Sequence, residues 1–166
     1  IIAEGNFDSK LPDGQTNAEM KELHDSFQFM QKELSDYIVN LSETTAVKEK
    51  IESELRIARE IQMSMIPHIF PPFPELEELD LFASLESAKE VGGDLYDFFL
   101  MDEKHLCFAI GDVSGKGVPA SLFMAVTRTL LRSVTEKSKN AAGIVRSMNN
   151  TLAFNNESNM FVTIFV

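Results

Sequence analysis

Between Met20 and Met65, apolar residues recur at alternating spacings of three and four: Met20, Leu23, Phe27, Met30, Leu34, Tyr37 and Leu41, then Ile51, Leu55, Ala58 and Met65. Neither Gly nor Pro occurs from Asn17 to Ile66, so nothing interrupts a helix before Pro67 stops it. Such a helix would run roughly 75 Å at 1.5 Å per residue. It cannot bury its apolar stripe alone, and the seam spacing predicts a parallel two-stranded coiled coil, hence a homodimer. The competing reading is an ordinary amphipathic helix folded against the downstream domain. Thr44, Lys48 and Gln62 occupy seam positions and predict a stutter or local loosening there.

The segment Pro67-His-Ile-Phe-Pro-Pro-Phe-Pro reads as a stiff extended connector and a domain boundary. Beyond it, β-rich runs predict strands near Asp80 to Glu86, Asp94 to Met101, His105 to Val113 and Met160 to the last residue. Helices are predicted from about Pro119 to Thr135 and from Ala141 to Phe154, with Pro119 in a first turn and Asn140 as a cap. The fold class is therefore α+β: a long N-terminal coiled-coil helix, then a layered domain with helices packed on an antiparallel sheet. The final strand is apolar and would make a sticky edge at a natural terminus, so the chain is expected to belong to something longer.

Two glycine-flanked aspartates stand out, in Val91-Gly-Gly-Asp-Leu-Tyr-Asp and in Gly111-Asp-Val-Ser-Gly-Lys-Gly-Val-Pro-Ala. If a three-residue loop of Asp102 to Lys104 closes a hairpin, Met101 faces His105, Phe99 faces Cys107, and Asp94 lies opposite Asp112. Directly opposed residues have Cβ atoms about 5 Å apart, where like charges repel. A divalent cation between them reverses the sign, so the pair predicts a metal site. Read more plainly, the glycines relieve turn strain and Asp112 caps the following helix. All-oxygen ligands favour Mg²⁺ or Mn²⁺ over Zn²⁺ or Cu²⁺.

Several chemistries fit poorly. Gly111-Asp-Val-Ser-Gly-Lys-Gly has three residues between its first two glycines and no Ser or Thr after the Lys, so it is not a P-loop. The formal charge of −11 opposes nucleic acid and anionic membrane surfaces as partners. One cysteine excludes an intrachain disulfide, and three scattered histidines do not suggest zinc. Cys107 lies in the apolar run Leu106-Cys-Phe-Ala-Ile and reads as a core residue, and Ser114 has no sequence-adjacent histidine. No apolar run reaches the ~20 residues of a membrane span and no signal peptide opens the chain, which is read as cytoplasmic.

Ile57-Ala-Arg-Glu-Ile-Gln-Met-Ser-Met-Ile-Pro, Val91-Gly-Gly-Asp-Leu-Tyr-Asp, Gly111-Asp-Val-Ser-Gly-Lys-Gly-Val-Pro-Ala and Phe161-Val-Thr resemble, in that order, the bacterial PPM-type (type 2C-like) serine/threonine phosphatases, closest to the sporulation and stress-response branch. The resemblance covers roughly residues 55 to 166. It implies two Mg²⁺ or Mn²⁺ ions in the complete domain, with a metal-held water attacking phosphoserine or phosphothreonine and no protein nucleophile. By the same resemblance, Asp94, Asp112 and the backbone carbonyl of Val113 are metal ligands. The family's domain continues past the Phe161-Val-Thr strand to further aspartate ligands, so this chain is expected to be inactive alone while its parent is active. The implied substrate is a phosphorylated protein, of the anti-anti-sigma type.

Ile2-Ala-Glu-Gly-Asn-Phe-Asp and Ala18-Glu-Met-Lys-Glu-Leu-His-Asp-Ser-Phe-Gln-Phe-Met resemble the second half of a HAMP signalling module. That implies a parent anchored upstream in the inner membrane, with this part facing the cytoplasm. The expected organisation is a HAMP-like segment over 1–41, a coiled-coil linker over 42–66 and the N-terminal part of the phosphatase domain over 67–166. Ile57, Ile61 and Met65 on one stripe are expected to pack near Pro119 and so to link coiled-coil movement to Asp112. The rival reading is a catalytically silent dimeric signalling scaffold that binds a regulatory partner.

Overall fold

The computed structural model describes residues 18–87 and 89–166, and the HAMP-like stretch at residues 2–8 lies outside them. The chain forms two compact units, Ile1–Ser53 and Glu54–Val166. One helix, α1 (Ala18–Met65), supplies all the described residues of the first unit and opens the second. In the first unit the apolar seam is bare: Leu23 is 62% exposed, Tyr37 65% and Leu41 53%. The helix continues through Thr44 and Lys48, each of which is satisfied locally. Thr44 donates its hydroxyl to the Asn40 carbonyl at 2.8 Å, and Lys48 pairs with Glu52 at 3.7 Å.

The second unit is α+β. Its sheet contains β1 (Leu95–Asp102), β2 (His105–Val113) and β3 (Val162–Phe165), antiparallel in that order. The predicted register holds along most of the hairpin, with Leu95 opposite Gly111 and Phe99 opposite Cys107. It breaks beside Met101, where Asp102 instead pairs with His105. The turn is thus Glu103-Lys104, shorter than the predicted loop. Asp102 accounts for the difference: its carboxylate accepts the Lys104 amide at 2.9 Å and meets the His105 ring at 2.7 Å, an aspartate turn that competes with a longer loop.

No strand forms over Asp80 to Glu86. Leu81, Ala83 and Leu85 still pack against the core while Phe82 is exposed, so the expected alternation survives. Alternation fixes which side chains are buried, but a strand also needs a ladder partner, and none lies beside this segment among the described residues.

Two helices, α2 (Val118–Thr135) and α3 (Ala141–Ala153), match their predicted spans within a residue. Pro119 stands in the first turn of α2 and Asn140 accepts the Gly143 amide at 3.1 Å, as the cap rules require. Gly117 enters α2 at φ 71°, a left-handed conformation that costs glycine little. One core cluster joins Ile66, Leu95, Val113, Ala120 and Met124; a second joins Cys107, Ala109, Leu131, Ile144 and Met148. Burial and the nearby Asp97 charge push the Cys107 thiol up, against a smaller opposing effect of Arg132, consistent with a packing cysteine.

The helical face of β1 carries Asp97, whose side chain is fully buried. Arg132 of α2 forks onto it with two bonds of 2.7 Å and lies 4.4 Å over the Phe99 ring. Arg128 approaches at 3.1 Å through Nε, but off the hydrogen-bonding direction, so that buried donor stays unsatisfied. The guanidinium of Arg132 is raised above its ordinary range by its bonds to Asp97, whereas burial lowers that of Arg128. One carboxylate therefore holds two cations between β1 and α2. Asp97→Asn is expected to lower the unfolding free energy by about 3 kcal/mol, measured by urea denaturation. A loss below about 1 kcal/mol would show that the ion cluster behaves as a surface pair.

Candidate metal centre

β1 and β2 bring Asp94 and Asp112 together because their register continues past the last regular pair. Val113 donates its amide to the Gly93 carbonyl at 3.3 Å, and Leu95 lies opposite Gly111, so Asp94 and Asp112 face each other between those pairs. With hydrogen-bonded pairs on either side, theirs is the closer-set, non-bonded position of an antiparallel ladder. Both aspartates are exposed on the sheet face opposite Asp97 and border an open groove of about 510 Å³ shared with Ser84, Tyr96, Ile110 and Thr163.

The electrostatics are those of an uncompensated pair. The Asp94 carboxyl is raised above its usual range, first by the desolvating groove walls, then by the Asp112 charge and a hydrogen bond with Asp112. Among the described residues, no cationic side chain pairs with either aspartate. The donor set of two carboxylates fits a hard divalent cation, which would offset their mutual repulsion. Gly93 keeps the site narrow: a β-carbon there would lie 2.8 Å from the Val113 carbonyl oxygen and 3.0 Å from its Cβ. Among the described residues, no group of three or more His, Cys, Asp and Glu side chains gathers as a metal cluster.

Residues absent from the sequence-based candidates support this arrangement. Thr163 on β3 donates its hydroxyl to the Asp112 carbonyl at 3.2 Å. Ser114 and Phe161 are joined by two bonds, the Ser114 amide to the Phe161 carbonyl at 2.8 Å and the Phe161 amide to the Ser114 hydroxyl oxygen at 2.9 Å. Ser114 is thus a strand tie, and the segments beginning at Gly111 and Phe161 are physically one joint. Gln62, taken from spacing as a weak seam position, is 5% exposed and bonds to Gly92. Its burial is invisible to a heptad count, since the partner lies 30 residues away.

The residues expected to form the switch are spread differently. Ile57 and Ile61 are exposed, Met65 is half-buried, and Pro119 is exposed on the first turn of α2. The inward side of the last turns of α1 instead carries Leu55, Ala58 and Gln62, with Ile66 buried just past its end.

Residues 102–166 match the family of stage II sporulation protein E (SpoIIE). The chain is 32% identical over 151 residues to Protein IcfG of Synechocystis sp., covering 89% of this chain and 23% of that protein. It is 31% identical over 119 residues to the phosphoserine phosphatase RsbU of Bacillus subtilis, covering 72% of this chain and 34% of RsbU. The chain thus spans about a quarter to a third of the length of these relatives. The SiaA-PP2C domain of Pseudomonas aeruginosa superposes with a TM-score of 0.56 at 22% identity, over 72% of this chain and 49% of that one, which shows a shared fold. The sequence matches support a partial bacterial PPM-type phosphatase domain of the sporulation and stress-response branch, and the shared fold agrees with it.

Proposed function

We infer that the protein of which this chain is part is a signal-regulated, metal-dependent serine/threonine phosphoprotein phosphatase. The observation that carries the reading is the Asp94–Asp112 pair, two like charges opposed across one hairpin with no cation of the chain's own among the described residues. Asp94, Asp112 and the Val113 carbonyl would hold Mg²⁺ or Mn²⁺. Bound divalent cations of this kind polarise phosphoryl oxygens and lower the pKa of water they coordinate. The chain's residues bind and position: the carboxylates supply negative ligands, and Gly93 leaves the Val113 carbonyl unobstructed. Ser114 and Cys107 are not proposed as nucleophiles, since the first ties two strands and the second is buried.

RsbU is by its name a phosphoserine phosphatase, and we extend phosphoserine in a protein, of the anti-anti-sigma type, to this chain as substrate. The exposed seam of α1 supports a parallel homodimer, and the resemblance of Ala18–Met30 to a HAMP module supports control from an upstream sensor. Among the described residues, no helix is long and apolar enough to cross a membrane. The N-terminal signal would reach the catalytic domain through the helix carrying Ile57, Ile61 and Met65 and the first turn of α2 at Pro119.

In the full-length protein, Asp94→Asn and Asp112→Asn are each expected to reduce Mn²⁺-dependent phosphate release from a phosphoserine protein by about a thousandfold. Near-normal turnover in both would refute the metal site. No turnover by a folded, dimeric wild type across phosphoprotein substrates would favour a silent scaffold. Replacing Thr44 by Ile and Lys48 by Leu together is expected to tighten self-association in sedimentation analysis and to change turnover about fivefold or more. Tighter association with unaltered turnover would sink the helical lever.

A further inference from the structure

Asp97 has more cations around it than one carboxylate can serve. Arg132 takes both of its oxygens, Nε donating to Oδ2 and a terminal nitrogen to Oδ1, each at 2.7 Å, and the Phe98 amide donates to Oδ1 at 3.0 Å. Arg128 meets a carboxylate already occupied: its hydrogen bond to Oδ1 is long, at 3.4 Å, and its buried Nε–H has no acceptor. A guanidinium carries five N–H donors, so most of those on Arg128 and Arg132 are unspent among the described residues. Two positive charges therefore face one negative charge. The Arg128 side chain is only 15% exposed, so water does little to make up the difference.

Both arginines border an open groove of about 400 Å³, which is walled by Ile69 and Pro72 of the connector and by Phe98, with His68 beside them. No Asp or Glu lines it, in a chain with 26 acidic and 15 basic residues. His68 turns Nδ1 to the Ile66 carbonyl at 3.1 Å. A neutral ring donating there offers only an acceptor at Nε2, so the positive potential of the groove comes from the arginines. None of the described residues borders both this groove and the one holding Asp94 and Asp112. The two grooves are separate, and their charges are of opposite sign.

We propose that this groove binds a small organic monocarboxylate, with its carboxylate on the Arg128 and Arg132 guanidiniums and its apolar body against Ile69, Pro72 and Phe98. The charge fits, since one anion balances the one surplus cation. So does the geometry, because a planar carboxylate accepts paired N–H donors from a guanidinium. The apolar walls favour a carboxylate with a hydrocarbon body over a bare inorganic anion, and the volume is that of a small-molecule site. The proposal does not depend on the phosphatase reading.

The test uses the full-length protein in metal-free buffer at fixed salt, where no bound cation can draw an anion to Asp94 and Asp112. Hexanoate, acetate and inorganic phosphate are titrated by calorimetry, with melting temperatures recorded alongside. Hexanoate should bind about tenfold more tightly than acetate, more tightly than phosphate, and raise the melting temperature as it saturates. Arg128→Met removes the surplus charge and keeps an apolar stem. It should weaken hexanoate binding about tenfold or more, while the ligand-free melting temperature holds or rises because Asp97 keeps Arg132. Ile69→Glu places a carboxylate at an exposed position on the groove wall and should also weaken hexanoate binding, and it carries the test if the first variant fails to fold. No hexanoate binding, or equal binding by the wild type and the folded variants, would overturn the proposal. Tighter binding of phosphate than of hexanoate would overturn it as well. A lowered melting temperature in Arg128→Met with hexanoate affinity unchanged would leave Arg128 a purely structural partner of Asp97.

Discussion

Opposing two carboxylates across one antiparallel hairpin is costly, and the second unit of this chain is organised around keeping them opposed. A slip of one residue between β1 and β2 would turn every side chain to the other face and move Asp94 away from Asp112. Several independent contacts hold that register. Leu95 and Val113, each 1% exposed, lock the inner face beneath Ala120 and Met124 of α2. Asp97 binds Arg132 of the same helix, and β3 pairs with β2 so that Thr163 lies opposite Asp112. The Gly93–Val113 bond then fixes the strand end, where only glycine leaves room for the facing carbonyl.

Much of this was legible from residue order. Counting outward from the polar turn predicts the facing of Phe99 with Cys107, which the structure shows. Pro119 and Asn140 marked two helix starts because their effects are local and depend on a few neighbouring residues. The bulge beside Met101 was missed because a side chain, Asp102, decides the turn length there. Residues 80–86 show the limit of periodicity, which predicts the inward turn of Leu81, Ala83 and Leu85 but not whether a strand partner exists. At the candidate site the Asp94–Asp112 pair was visible as sequence motifs. Its supports were not: Gln62, Thr163 and the Arg128–Arg132 fork act across 30 to 51 residues of chain. Such contacts leave no local trace. The heptad count even misread Gln62 as weakness, since a polar residue in an apolar stripe looks the same whether it is unsatisfied or clamped.

The contrast between two aspartates of one segment carries the functional argument furthest. Asp94 and Asp97 are three residues apart and so lie on opposite faces of the sheet. Toward the helices, Asp97 is buried, and the chain supplies two arginines for it, although one of them stays partly unsatisfied. Toward the groove, Asp94 has no cation beside it among the described residues, and burial first and Asp112 second raise its carboxyl. A chain with 15 basic residues has cations to place there, and Arg128 and Arg132 show that α2 can deliver them to this strand. Structural need alone would favour pairing or removing the second aspartate, since an uncompensated pair only destabilises. The proposed divalent cation would resolve that conflict without altering the fold. It would also fit the tight contact at Gly93 and the Gln62–Gly92 bonds beside Asp94, neither of which reduces its charge.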